Sequence, residues 1–163
     1  MTEQGETYAT FVESELKSEY DRRTSIDARA LAVVTSSSAF LALIVSVVAL
    51  LKGKDHTFGH GAGGAAVVAL ACFVVAGALG LVANMSREYQ VAAVGTLREM
   101  TKSHWTDSEI AARNICAGLG VTTIASLRAG TDNKAKIIAW AVYFQLAAVL
   151  AVVTAVGWDL LSG

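Results

Sequence analysis

Proline is missing from all 163 residues of this chain, so nothing obliges a helix to break and an all-helical fold meets no obstacle. Charge is scarce as well. Asp, Glu, Lys and Arg together make up 17% of the residues, against about 25% in ordinary soluble domains. Cysteine occurs only at Cys72, inside an apolar run, and at Cys116, in a more polar region. That placement argues against a disulfide framework and supplies no metal-ligand spacing. A cleavable secretory signal is not expected either, because the first 29 residues carry seven acids (Glu3, Glu6, Glu13, Glu15, Glu19, Asp21, Asp27) and no apolar core.

Catalytic signatures are equally lacking. No Gly-x-Ser-x-Gly elbow, phosphate-binding loop or dinucleotide fingerprint occurs. His104 stands alone beside Trp105, and no set of nucleophile, base and oxyanion donors is in view, so the chain is not expected to be an enzyme or to need a cofactor. His56 and His60 fall among glycines, which do not hold the rigid i,i+4 geometry of helical metal ligands, so they are read as parts of a polar turn with no metal.

What the chain does have is apolar length. Hydrophobic residues reach 54%, and the run from Ala30 to Leu51 holds 22 residues without a charge, between Arg29 and Lys52. As a helix it is roughly 33 Å long, enough to cross a hydrocarbon core of about 30 Å. A second uncharged run covers 62–86 and a third 137–158, closed by Trp158, an aromatic suited to the membrane interface. The expected fold is therefore all-α: an integral membrane protein with three transmembrane helices, an N-terminal helical arm and a cytoplasmic helical hairpin. In order these are an arm at 1–29, spans at 30–51 and 62–86, a glycine-rich extracytoplasmic loop at 52–61 between them, a hairpin at 87–136, a third span at 137–158 and a short tail at 159–163.

Within the arm, Tyr8, Phe11, Val12, Leu16 and Tyr20 recur at helical spacing, and nothing breaks the helix between Glu6 and Leu51. The central region is expected to be helical from Ser86, continuous with the second span. Thr106 and Glu109 then give a capping box for a helix that should stop near Gly130. Eleven of the 13 Lys and Arg residues lie in the arm and central region and two in the glycine loop. The positive-inside rule thus puts the N-terminus in the cytoplasm and the C-terminus outside.

The spans hold no Asp, Glu, Lys or Arg, so the usual relay of a pump is missing. They do hold hydroxyls and one amide. Thr35, Ser38 and Ser46 share a face of the first span with Ala42 and Ala49, Ser36 and Ser37 lie beside them, and the third span has Gln145 and Thr154. Such a stripe lines a narrow wet pathway when several copies surround an axis, with Phe40 or Leu43 as its gate, or else it is glue between helices. Gly77 and Gly80, among Ala66, Ala69, Ala76 and Ala83, give the second span a close-packing surface. Arg98, Lys102, Trp105 and Arg113 gather cations and an aromatic near the central turn, as contacts for an anionic ligand or as a solvated helix end. Asp27 with Arg29, and Asp132 with Lys134, put an acid and a base before two spans, to pair across the bundle or to stand as interfacial charge.

The runs Glu19-Tyr-Asp-Arg-Arg-Thr-Ser-Ile-Asp-Ala-Arg-Ala30 and Asp132-Asn-Lys-Ala-Lys136, each leading into a span, resemble small transmembrane effectors of bacterial antiphage signalling. The likeness is to the membrane effectors of cyclic-pyrimidine (Pycsar) signalling and the related SLATT-type helical effectors, and it covers the layout of nearly the whole chain. It implies a protein of the bacterial inner membrane that permeabilises or depolarises it when a nucleotide or protein trigger arrives in the cytoplasm. Three spans do not easily enclose a pore, so conduction requires a homo-oligomer in the lipid bilayer. A stable nucleic-acid complex is not expected. The competing expectation is a non-conducting membrane protein, such as a prophage superinfection-exclusion factor, that acts by binding a partner.

Overall fold

Four helices, α1 (Glu3–Lys52), α2 (His60–Asn84), α3 (Val94–Lys102) and α4 (Glu109–Ser162), make up the computed structural model, which describes residues 3–52, 60–85, 89–104 and 106–162. The arm and the first apolar run form one helix of 50 residues, as a chain without proline and with only Gly5 inside that stretch allows. Among the described residues three helices are long and apolar enough to cross a membrane, with mean hydropathy of 2.2, 2.7 and 2.2 in the apolar windows of α1, α2 and α4. Their segments are Gly5–Val47, Gly63–Asn84 and Glu109–Trp158.

The chain folds as two compact units, Met1–Ile26 with Ser86–Asn133 and Asp27–Met85 with Lys134–Gly163. In the second unit the buried positions recur at alternating three- and four-residue steps: Ala30, Val33 and Ser37 on α1, Ala69, Phe73, Ala76, Gly80 and Ala83 on α2, and Ile138, Ala141 and Ala148 on α4 with the half-buried Gln145 between the last two. That is the seam of a heptad repeat. Here α2 runs antiparallel to α1, since Phe40 stacks on Phe73 with ring centroids 5.3 Å apart while Gly80 lies against Ala30, Val33 and Val34. Helix α4 runs parallel to α1, with Asp27 meeting Lys134 and Ser37 meeting Gln145. Trp158 lies over Gly61, where an added Cβ would come within 3.1 Å of the indole.

The first unit has its own heptad seam. On α1 the less exposed positions are Ala9, Val12, Leu16, Glu19, Arg23 and Ile26, and on α4 they include Gly120, Ile124, Leu127 and Thr131. Val12 packs over Gly120, where a Cβ would meet its Cγ1 at 2.8 Å, and again α1 and α4 run parallel. The aromatic members of the expected arm face, Tyr8, Phe11 and Tyr20, are exposed instead. Small and aliphatic side chains fit the close seam, and rings do not.

Three expectations about helix ends are corrected. The central region does not continue α2, which ends at Asn84; residues 89–93 are not helical and α3 begins only at Val94. The cap of α4 is Ser108, not Thr106. Ser108 Oγ accepts a hydrogen bond from the Ala111 amide at 3.3 Å and its carbonyl accepts the first helical bond, from Ala112. Gly130 does not stop the helix either, for α4 runs through it for 54 residues. Its lack of a side chain serves packing, since the Tyr89 ring lies where a Cβ would be, 2.6 Å from that position. Of the loop expected at 52–61, residues 53–59 with His56 lie outside the described residues, while Lys52 ends α1 and His60 and Gly61 open α2.

Candidate functional site

Two polar groupings stand out, one in each unit. In the apolar unit the hydroxyls of α1 divide between two faces. Ser37 is buried at 1% exposure, and the half-buried Gln145 side chain places Nε2 at 2.8 Å from both Ser36 Oγ and Ser37 Oγ and at 3.1 Å from the Val33 carbonyl oxygen. An amide nitrogen carries two hydrogens, so three acceptors share two donors in one compact node. Thr35, Ser38 and Ser46 are exposed in the single chain. Each donates to the carbonyl four residues back on its own helix, to Leu31 at 2.6 Å, Val34 at 2.9 Å and Ala42 at 2.8 Å. Thr154 does the same to Leu150. The site residues read from sequence therefore separate: Gln145 belongs to the interior with Ser36 and Ser37, and the other three point outward.

Phe40, 44% exposed, is anchored on the buried Phe73, while Leu43 is exposed. Gly80 is buried where a Cβ would lie 2.8 Å from Val34 Cγ2 and 3.3 Å from the Ala30 carbonyl oxygen. Gly77 is looser, with Ser37 Cβ at an ordinary 3.6 Å.

The second grouping is ionic. Arg128 on α4 donates to Glu19 through Nε and to Glu15 through Nη2, each at 2.7 Å, and Glu19 is itself buried. Arg22 donates to Asp132 at 2.6 Å, and Arg23 lies 4.3 Å over the Tyr89 ring. The hydrogen bond and charge of Glu19, opposed by desolvation and with lesser help from Glu15, raise Arg128 above its ordinary value. A raised basic group keeps its partner until pH climbs beyond the ordinary arginine range, so this grouping holds across neutral pH. In the apolar unit the Lys134 ammonium, 2% exposed, reaches Asp27 at 2.6 Å. Of the four charges expected to pair before the two spans, Asp27 and Lys134 do meet, whereas Asp132 takes Arg22 as its partner and Arg29 is exposed.

The proposed anion contacts are spread out. Arg98 and Lys102 are exposed on α3 and line neither described cavity. Arg113 donates to Glu109 at 2.6 Å and borders a cavity of about 250 Å³ with Val12, Leu16 and Cys116. Trp105 lies outside the described residues. A neighbouring cavity of about 300 Å³ is bordered by Met100, His104, Asp107 and Ile115, with His104 Nδ1 2.9 Å from Asp107. Sequence reasoning missed the Arg128 grouping and the interior role of Ser37. Ser37 and Gln145 are 108 residues apart, and only the parallel pairing of the α1 and α4 seams brings them together.

Comparison of the chain with protein-family models, with curated proteins and with solved structures gave no match.

Proposed function

We propose that this chain is a multi-pass protein of the bacterial inner membrane, N-terminus inside and C-terminus outside, that works as a non-catalytic antiphage effector by assembling and letting ions pass. The observation that carries the reading is the division of the hydroxyls. The interior of the single chain is closed by Phe73, alanines and the Gln145 node, so a pathway has to form between copies. Thr35, Ser38 and Ser46 lie on the exposed face of α1 that such copies meet. Only 17% of the α1 window and 22% of the α2 window are buried within the chain, leaving apolar surface for lipid and for neighbouring copies. The effector role itself rests on the resemblance of the two acid–base runs and of the layout. The trigger acts on the polar unit, which bears the charged grouping and both cavities.

A second reading, a non-conducting protein that binds a partner, is favoured by one observation: each outward hydroxyl already has an acceptor on its own helix and needs no water or ion. Overproduction with a potential-sensitive dye separates the two. Ser38→Leu with Ser46→Leu is expected to abolish depolarisation at unchanged membrane content. Full depolarisation by the double variant would hand the question to the partner-binding reading.

A further inference from the structure

Helix α3 has nine residues and buries none of them. A helix so short is marginal in water even with favourable residues, and packing does not account for it, since Met100 is its contribution to the cavity against α4. Its sequence is divided by face. At 100° per residue, Val94, Leu97 and Thr101 fall together, Arg98 and Lys102 flank them on one side, and Glu99 points the opposite way. Val94 is 73% exposed and Leu97 50%, and Val91 just before the helix is 59% exposed. None of the described carboxylates pairs with Arg98 or Lys102.

We infer that α3 lies in the headgroup layer of the bilayer, with Val94 and Leu97 against the acyl boundary and Arg98 and Lys102 on lipid phosphates. An apolar face bordered by long basic side chains is the chemistry of a surface-lying helix, and the basic heads reach up to phosphates while their stems stay apolar. The occupant is within reach. Nine residues separate Asn84, the end of α2, from Val94, and a link of that length spans up to about 30 Å. The proposed anion contacts at Arg98 and Lys102 thereby gain a ligand class, the phosphodiester of an anionic lipid. The inference rests on the membrane reading of α2 and not on conduction.

The test uses the full chain in vesicles containing phosphatidylglycerol, with Cys72→Ala and Cys116→Ala and a single fluorophore placed through Leu97→Cys, Val94→Cys or Glu99→Cys. Doxyl lipid is expected to quench the Leu97 and Val94 labels about threefold more than the Glu99 label, and aqueous iodide the reverse. Arg98→Gln with Lys102→Gln should cut doxyl quenching at Leu97 by about half in anionic vesicles and leave it unchanged in phosphatidylcholine. Equal iodide access at Leu97 and Glu99 overturns the inference. So does protection from both quenchers, which means that protein covers the face, and so does release of the label by inorganic phosphate at fixed ionic strength, which means a soluble anion. Carbonate extraction runs alongside. Loss of the chain from the membrane fraction sinks the membrane reading itself, whereas retention with an unquenched Leu97 label sinks only the assignment of α3.

Discussion

The same two helices, α1 and α4, pair in both units, in the same parallel sense, yet different forces hold them. In the polar unit the contacts are charged: Arg128 with Glu15 and Glu19, Arg22 with Asp132, and Arg23 over Tyr89. In the apolar unit small buried residues dominate, with Ala30 against Gly80 and Ala141 and Ala148 buried on α4, beside the Gln145 node and one ion pair, Asp27–Lys134. On the proposed membrane placement, the difference follows the surroundings. Water supplies a hydrophobic drive and tolerates exposed ions, so long charged side chains can reach across a seam. Lipid supplies no such drive between helices, so small residues must bring backbones close enough for dispersion to act.

That contrast can be broken at several points. The largest effect is expected from Lys134→Met, which removes the cation facing Asp27 in a nearly closed environment. Losing one partner of such a pair costs about 3 kcal/mol, at the low end because Asp27 is a third exposed. The thermal midpoint in detergent should fall, and adding Asp27→Asn should recover most of the loss; no recovery would mean that Lys134 acts through packing. Gly80→Leu comes next, at about 2 kcal/mol from overpacking against Val34 and the Ala30 carbonyl. Crosslinking yield and particle size report it, and unchanged values would place Gly80 away from the α1 seam.

Gln145→Leu should cost only about 1 kcal/mol, because the Ser37 hydroxyl can turn to its own helix as Ser38 already does. A larger drop in thermal midpoint would give the node a part in assembly. The smallest effect belongs to Arg128→Gln. Its guanidinium is half exposed, so the parent protein should lose this contribution as salt rises and the variant should show a shallower salt dependence, with Arg22–Asp132 still in place. Melting curves at low and high salt measure it, and parallel curves would deny that ion pairs distinguish the polar unit.

The three apolar runs and the long first helix were legible from residues, because charge-free length is a direct physical requirement for crossing a bilayer. Helix ends were less legible. Gly130 carries the same letter whether it ends a helix or makes room for Tyr89, and Ser108 competes with Thr106 for one cap. The outward and inward hydroxyls could not be sorted from α1 alone, since Ser36, Ser37 and Ser38 are consecutive and only the position of Gln145 selects among them. The Arg128 grouping was hidden for the same reason, because its partners lie more than 100 residues away.

The parallel course of α1 and α4, with α2 opposed, has an electrical consequence. At the end of the apolar unit where α1 and α4 finish and α2 starts, two helix C-termini stand beside one N-terminus. Each C-terminus leaves four carbonyl oxygens without helical partners, and each N-terminus four amide hydrogens. Two partial negative charges of about one half are offset by one partial positive charge of the same size. This end of every copy is therefore left with a residual of about minus one half from backbone alone, before any side chain is counted. In the proposed assembly, copies around an axis would multiply that residual into a ring that draws cations and turns anions away.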